Sequence, residues 1–222
     1  MIIKNEKYNE IRHDLQALAE TLIKQCVLVE NLLMEGWKES SYKQFIENES
    51  RINPMEESLL QKLTATVIQF SPKGKDLRKI VYCHEVIIYM EGIGSYLFNI
   101  VSIIKEADIQ SSDYNTYKTA LATFFEKTEE TIQKACYSFY REDVDLAYRI
   151  IPTEQYEEIK ELKTNTLNTL LTDFEEIPLQ RQELVNILVF DKTFFFMEKM
   201  IDNAIDIAKS TIFAIQGNIE NQ

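Results

Sequence analysis

Apolar residues recur three and four positions apart along most of this chain, which is the spacing of one face of an α-helix. In residues 8–35 the apolar positions are Ile11, Leu15, Leu18, Leu22, Cys26, Val29, Leu32 and Leu33. No stretch shows sustained alternation with a period of two, so strands are not indicated. The 222 residues include only 5 Gly and 4 Pro, which is few for a β-rich or loop-rich protein. The sequence therefore predicts an all-α fold.

Loop signals divide this pattern into six predicted helices. Their approximate ranges are 8–35, 41–70, 76–107, 115–140, 143–175 and 179–216. Ser40 and Ser41 are suited to cap the second helix, and Pro54 within it predicts a kink or a break. Pro152 is expected to interrupt the fifth helix, and Gly217 to end the sixth.

The six helices form two copies of one three-helix pattern. Residues 21–26 (TLIKQC) match residues 131–136 (TIQKAC) at an offset of 110, and residues 90–95 match 197–202 at an offset of 107. Matches in the same order at nearly the same offset indicate an internal duplication. We therefore predict two tandem three-helix bundles. Their predicted boundaries are 1–110 and 111–222.

Charge and cysteine content limit the classes of partner and compartment. The formal net charge is −12, so no basic face is available for nucleic acid. Cys26, Cys83 and Cys136 are far apart and form no CxxC pair, which favours buried free thiols in a reducing compartment. The N-terminus lacks a signal-peptide pattern, and charged residues break the longest apolar runs. We expect a cytoplasmic protein that is not embedded in a membrane.

Four acidic residues share one strip of the predicted last helix, within about 80° of arc. They are Asp191, Glu198, Asp202 and Asp206. Such a strip repels itself unless something cationic lies over it. Glu154 and Glu158 on the fifth helix have the same spacing as Glu198 and Asp202. If the two helices are adjacent and antiparallel, these four carboxylates form a site for a hard divalent cation, or for iron or zinc. For a single pair, a solvated acidic face is the simpler interpretation.

The first half has weaker metal ligands at the matching positions. On the third helix these are His84, Glu91, Ser95 and Asn99, and on the second helix Glu49 and Asn53. We expect weaker metal binding here, or none. His84 is a candidate ligand, although a lone histidine on a helix is more often a structural residue.

Residues 75–101 (KDLRKIVYCHEVIIYMEGIGSYLFNIV) resemble the signature of the PhoU family, a DLR start followed by ERIGD and NIA. The sequence MEKMIDNAIDIA (197–208) is similar to a second copy, and REDVDLAYRI (141–150) and AIQG (214–217) resemble the family's second repeat. The resemblance covers nearly the whole chain and is degenerate in the first repeat, where Ser95 stands in place of an acid and Gly92 in place of the usual Arg.

The resemblance implies two three-helix bundles with multinuclear metal sites built from paired E(D)xxxD motifs. In the second half the implied ligands are Glu154, Glu158, Glu198 and Asp202. In the first half the matching positions are Glu49, Asn53, Glu91 and Ser95. We expect occupancy mainly in the second half, with the identity of the metal left open.

The resemblance also implies a function. Proteins of this family are cytoplasmic, non-enzymatic regulators of phosphate uptake and of the phosphate-starvation response, and they contact the phosphate ABC transporter and a sensor histidine kinase. A regulator, or a detached regulatory domain, for a sodium- or proton-coupled phosphate carrier is the close alternative. A carboxylate-bridged di-metal enzyme and a purely structural scaffold are the rivals from other classes. A homodimer formed through helical faces is compatible with the pattern.

Overall fold

A computed structural model describes residues 2–106, 118–151, 160–161, 163–166, 168 and 181–217. The helices in this part of the chain are α1 (Ile2–Glu35), α2 (Glu39–Phe70), α3 (Lys75–Glu106), α4 (Lys118–Arg141), α5 (Val144–Ile150) and α6 (Arg181–Ile215). Residues 160–161, 163–166 and 168 are helical as well. The described residues contain no strand, which confirms the predicted all-α fold.

The helix boundaries differ from the predicted ones where local signals were ambiguous. The N-cap of α2 is Lys38, without a side-chain cap, so Ser40 and Ser41 lie inside the helix. Pro54 also lies inside α2, which continues to Phe70, so of the two predicted alternatives the break is wrong and the kink stays a prediction. Pro54 is exposed, and the carbonyl that loses its backbone donor there can bond to water.

The turns were predicted more closely. Glu142 has a positive φ of 57° between α4 and α5, and the Asp143 side chain accepts a hydrogen bond of 2.9 Å from the Leu146 amide. Gly217 follows α6 with a φ of 91°, which is the left-handed conformation that commonly ends a helix.

The helices of the first half pack as antiparallel neighbours. Lys62 of α2 pairs with Asp14 of α1, and the Phe45 ring of α2 lies 6.4 Å from the Phe98 ring of α3. The most extensive packing in the described part, however, joins the two halves through α3 and α6. These helices are antiparallel, because Tyr82 stacks on Phe213 at one end and Tyr96 on Phe196 towards the other.

The contact between α3 and α6 has the symmetry of the internal repeat. The Asn203 amide donates a 3.2 Å hydrogen bond to the Tyr89 carbonyl, and the ring centroids of Tyr96 and Phe196 are 5.9 Å apart. Tyr89 corresponds to Phe196, and Tyr96 to Asn203, at the offset of 107. The two contacts therefore exchange under a pseudo-two-fold axis that relates the halves.

One continuous core runs through both halves. Its largest fully buried aromatic side chains are Phe45, Phe124, Phe125, Phe190 and Phe194. The three cysteines are buried and free, as predicted, and burial raises the pKa of the Cys83 and Cys136 thiols to about 12. The proposed division at residues 110 and 111 falls outside the described residues and stays a prediction.

Helix α3 is long and apolar enough to cross a membrane, judged by length and composition alone. This property was not predicted from the sequence, because charged residues interrupt the apolar run of α3. In the structure α3 packs against α1, α2 and α6, as the core helix of a globular protein does.

Candidate metal site on the last helix

A lysine lies over the acidic strip of α6. The Lys163 ammonium is 3.3 Å from the Asp191 carboxylate and 3.4 Å from the Glu198 carboxylate. The side chains of Lys163 and Glu198 are only 19% and 18% exposed, so this contact is shielded from solvent more than a surface ion pair. The acidic strip predicted a covering cation, but no sequence pattern identified Lys163 as that cation.

The other two acids of the strip have lysines on their own helix. Lys199 lies 2.8 Å from Asp202, and Lys209 lies 2.8 Å from Asp206, in each case three residues away along the chain. The hydrogen bond to Asp202 is the main reason that the pKa of Lys199 is raised. All four acids of the strip are therefore paired with lysine.

The four-carboxylate site itself stays a prediction. Glu154 and Glu158 lie outside the described residues, so their position relative to Glu198 and Asp202 is not part of the structure. Among the residues that are described, no three His, Cys, Asp or Glu side chains come close enough together to hold a metal ion. A divalent cation at Glu198 would have to displace the Lys163 ammonium from that carboxylate.

In the first half, the predicted ligand positions lie on α2 and α3. Glu49 accepts a 2.8 Å hydrogen bond from Gln25, and Glu91 accepts one of 3.3 Å from Ser95. His84 is exposed. Glu56 was not predicted as part of this group, and its pKa is raised by burial and then by the nearby negative charge of Glu91. Its spacing of seven residues from Glu49 on one helix was the available signal.

Two further features were not predicted from the sequence. Glu10 and His13 have the spacing of a Glu-x-x-His pair, but Glu10 is bound by Lys7 and Lys62, and the His13 side chain is 81% exposed. A cavity of about 340 Å³ lies where the two halves meet. Lys79 and Glu142 contribute to its wall and form an ion pair of 2.6 Å between the halves.

Comparison with known protein families finds one domain in the first half of the chain. Residues 15–104 match the family model of the PhoU domain. Comparison with curated protein sequences finds no match. The PhoU domain match falls in the first half, although the second half keeps more of the expected acids.

Two solved structures share the fold over nearly the whole chain. PhoU from Pseudomonas aeruginosa is 22% identical and superposes with a TM-score of 0.82, covering 96% of this chain and 99% of that one. The phosphate transport system regulatory protein PhoU from Streptococcus pneumoniae is 11% identical, also with a TM-score of 0.82, covering 99% and 100%. The chain therefore carries a PhoU domain in its first half and shares the all-α fold of these PhoU proteins.

Proposed function

We propose that this chain is a PhoU-type regulator of phosphate transport, a cytoplasmic and non-enzymatic adaptor that lowers phosphate uptake when phosphate is plentiful. The observation that carries the proposal is the PhoU domain match over residues 15–104. The fold likeness to the phosphate transport system regulatory protein of Streptococcus pneumoniae supports it. The proposed partners are components of a phosphate transporter and a sensor histidine kinase.

The proposal is tested in the native host by deleting the gene. In medium rich in phosphate, the deletion should raise phosphate uptake and switch on phosphate-starvation genes, and a plasmid copy should reverse both effects. Uptake and gene expression that are unchanged by the deletion would contradict the proposal. Affinity purification of the tagged chain from the same cells should recover a phosphate transporter or a kinase. Recovery of a sodium- or proton-coupled carrier instead of an ABC transporter would favour the close alternative.

The proposed metal site uses Glu154, Glu158, Glu198 and Asp202 as oxygen ligands for iron, zinc or another divalent cation. The described contacts support a competition at this site, because Lys163 holds Glu198 at 3.4 Å. A bound metal would neutralise the strip in place of that ammonium. The first-half positions Glu49, Glu91 and His84 are proposed as the weaker site.

Replacing Lys163 separates a metal site from a simple ion-pair strip. Lys163→Met removes the competing ammonium, so zinc or iron(II) affinity should rise by about tenfold, measured by isothermal titration calorimetry. Glu198→Gln should abolish binding, and Lys209→Met, which leaves Glu198 untouched, is the matched control. Unchanged metal content and thermal stability in Glu198→Gln would instead identify the strip as a solvated, lysine-paired face.

A further inference from the structure

The exposed side of α3 is one continuous stripe. From residue 77 to residue 104, every exposed side chain of this helix lies on it. These residues, the outer stripe, are Leu77, Val81, His84, Ile88, Glu91, Ser95 and Phe98. The intervals alternate between four and three residues, which is the spacing that one helix presents to another in a coiled coil.

The outer stripe is unusually apolar for a surface. Its four large apolar side chains are each between 40% and 47% exposed. Within the most apolar 18 residues of α3, only 44% are buried. A helix that is apolar on all sides is normally covered on all sides. The described part of the chain leaves this side of α3 uncovered.

The internal repeat shows what neutralises the acidic positions of such a stripe. The offset of 107 places the corresponding stripe on α6, where Leu184, Leu188 and Phe195 are also exposed. There the helical segment 163–166 contributes Lys163, which contacts Asp191 and Glu198, the counterparts of His84 and Glu91. In the second half, therefore, a lysine neutralises the acidic positions of the stripe, while its large apolar side chains stay exposed.

In the first half a carboxylate takes the place of that lysine. Glu56 lies beside Glu91 as Lys163 lies beside Glu198, the counterpart of Glu91. It lies on α2 near Glu91, and burial together with the charge of Glu91 raises its pKa. Neither Glu56 nor Glu91 forms an ion pair with another described residue. The middle of the outer stripe therefore carries negative charge that the described part of the chain does not neutralise.

We propose that the outer stripe of α3 is a docking surface for an amphipathic helix of a partner protein. Apolar residues of that helix would cover Leu77, Val81, Ile88 and Phe98, and a central lysine or arginine would pair with Glu56 and Glu91. Helix-in-groove recognition of this kind uses apolar anchors at heptad spacing. This proposal adds a binding surface to the proposed regulatory function. It rests on that function only for what the partner does in the cell.

Charge disfavours two other occupants of the stripe. A second copy of the chain would bring another set of Glu56 and Glu91 towards the first, and each copy already carries a formal net charge of −12. A membrane with anionic headgroups would meet the same carboxylates, and the outer stripe contains no lysine or arginine. A basic helix, by contrast, is attracted by the carboxylates of this surface and can neutralise them with its own lysine or arginine.

A designed helix tests the proposal on the purified chain. The probe is a fluorescein-labelled synthetic peptide of about three heptads, with leucine along its seam and one central lysine. The matched peptide carries glutamate in place of that lysine. By fluorescence anisotropy, the lysine peptide should bind at least about tenfold more tightly than the glutamate peptide.

Variants on the stripe locate the binding. Ile88→Asp should weaken binding of the lysine peptide by about tenfold, and Glu91→Lys should reverse the preference between the peptides. Val27→Asp, on an α1 side chain of similar exposure (41%), should bind as the unsubstituted chain does. Circular dichroism checks that each variant is folded.

Four outcomes would overturn the proposal. They are equal binding of the two peptides, equal effects of Ile88→Asp and Val27→Asp, no saturable binding up to about 1 mM peptide, and occupation of the stripe by something else. Occupation by a second copy would appear as a dimer in sedimentation velocity that Ile88→Asp abolishes. Occupation by lipid would appear as flotation with phosphatidylcholine–phosphatidylserine vesicles that the same variant loses. A chain that binds the peptide but does not restore phosphate regulation contradicts the proposed function alone.

Discussion

At the scale of single residues, Lys163 decides how the acidic strip of α6 is neutralised. The spacing of Asp191, Glu198 and Asp202 could be read from the sequence, because residues seven or four positions apart share a face of any helix. The identity of the cation could not, because Lys163 lies 35 residues before Glu198 and reaches it only through tertiary packing. For the same reason, Glu56 was missed as the neighbour of Glu91.

Gly92 leaves room for a close contact between α3 and α6. A Cβ at this position would lie 2.4 Å from the Asn203 amide nitrogen, which donates to the Tyr89 carbonyl. Gly92→Ala should therefore lose about 1 kcal/mol with that hydrogen bond while gaining about 1 kcal/mol of helix propensity. We expect almost no net change in the free energy of unfolding, measured in urea.

Replacing Asn203, whose amide obstructs a Cβ at position 92, should reveal the gain in helix propensity that Gly92→Ala brings. In an Asn203→Ala background, Gly92→Ala should stabilise the chain by about 1 kcal/mol, and the double-mutant cycle gives the coupling between the two positions. Equal stabilisation by Gly92→Ala in both backgrounds would show that the Asn203 amide does not oppose a side chain at this position.

Three glutamates meet where α1 packs against α4. Burial, and then the charge of Glu126, raises the pKa of Glu30, and burial followed by Glu30 raises that of Glu129. A carboxyl group with a raised pKa binds its proton more tightly in the folded state than in the unfolded state. It therefore costs no stability at low pH, and the loss of stability appears as pH rises above the ordinary pKa of 4.5.

Neutralising Glu129 should therefore help only at higher pH. Glu129→Gln should stabilise the chain by about 0.3 kcal/mol at pH 7, a small figure because the cluster is partly exposed and screened. The gain should vanish near pH 4, as followed by thermal unfolding. Glu130→Gln, which removes an ion pair of 2.6 Å to Lys134, is the control and should give no gain at either pH. A gain from Glu129→Gln that grows as pH falls would contradict this account.

At the scale of helices, the sequence predicted the existence of each described element better than its ends. Apolar periodicity reports the packed face, which is why the long helices α1, α2, α3 and α6 were all expected. The ends of a helix are not reported by apolar periodicity, so α1 starts at Ile2 although its apolar pattern is clear only from residue 8. Pro54 illustrates the limit, since packing of Ile52 and Leu59 on either side keeps α2 continuous.

The short helix α5 depends on its cap. It has only seven residues, and the Asp143 side chain accepts the Leu146 amide hydrogen at 2.9 Å. Asp143→Ala should cost about 1 kcal/mol of unfolding free energy, because an orphan amide loses its acceptor. Asp143→Asn, which retains an oxygen acceptor, should recover most of the loss in chemical denaturation. Equal losses in the two variants would show that the cap bond contributes little.

At the scale of the whole molecule, the shared core predicts that the halves unfold together. Met200 on α6 is fully buried, and truncation to alanine should cost about 2–5 kcal/mol. The single tryptophan, Trp37, lies in the first half and reports on unfolding there. In Met200→Ala, the denaturation curve from Trp37 fluorescence should shift with the circular dichroism curve. Leu188→Ala, with a side chain 52% exposed, is the mild control. An unshifted Trp37 curve would show that the halves unfold separately.

The sequence indicated the repeat but not how its copies meet. Matching segments at offsets of 107 and 110 predicted two similar bundles, whereas their extensive contact through α3 and α6 depends on shape complementarity that no local pattern encodes. The apolar composition of α3 was the available signal, since a helix that serves both its own bundle and its neighbour needs more than one apolar face.

The pseudo-two-fold contact between α3 and α6 has a consequence for the ancestry of the chain. A contact in which each repeat offers the same patch to the other has the symmetry of a dimer of identical subunits. Duplication and fusion of the gene for one such subunit produces this arrangement, because the contact between the halves is the former dimer contact. Once fused, the two copies were free to diverge, and Lys163 in one half against Glu56 in the other is the trace of that freedom.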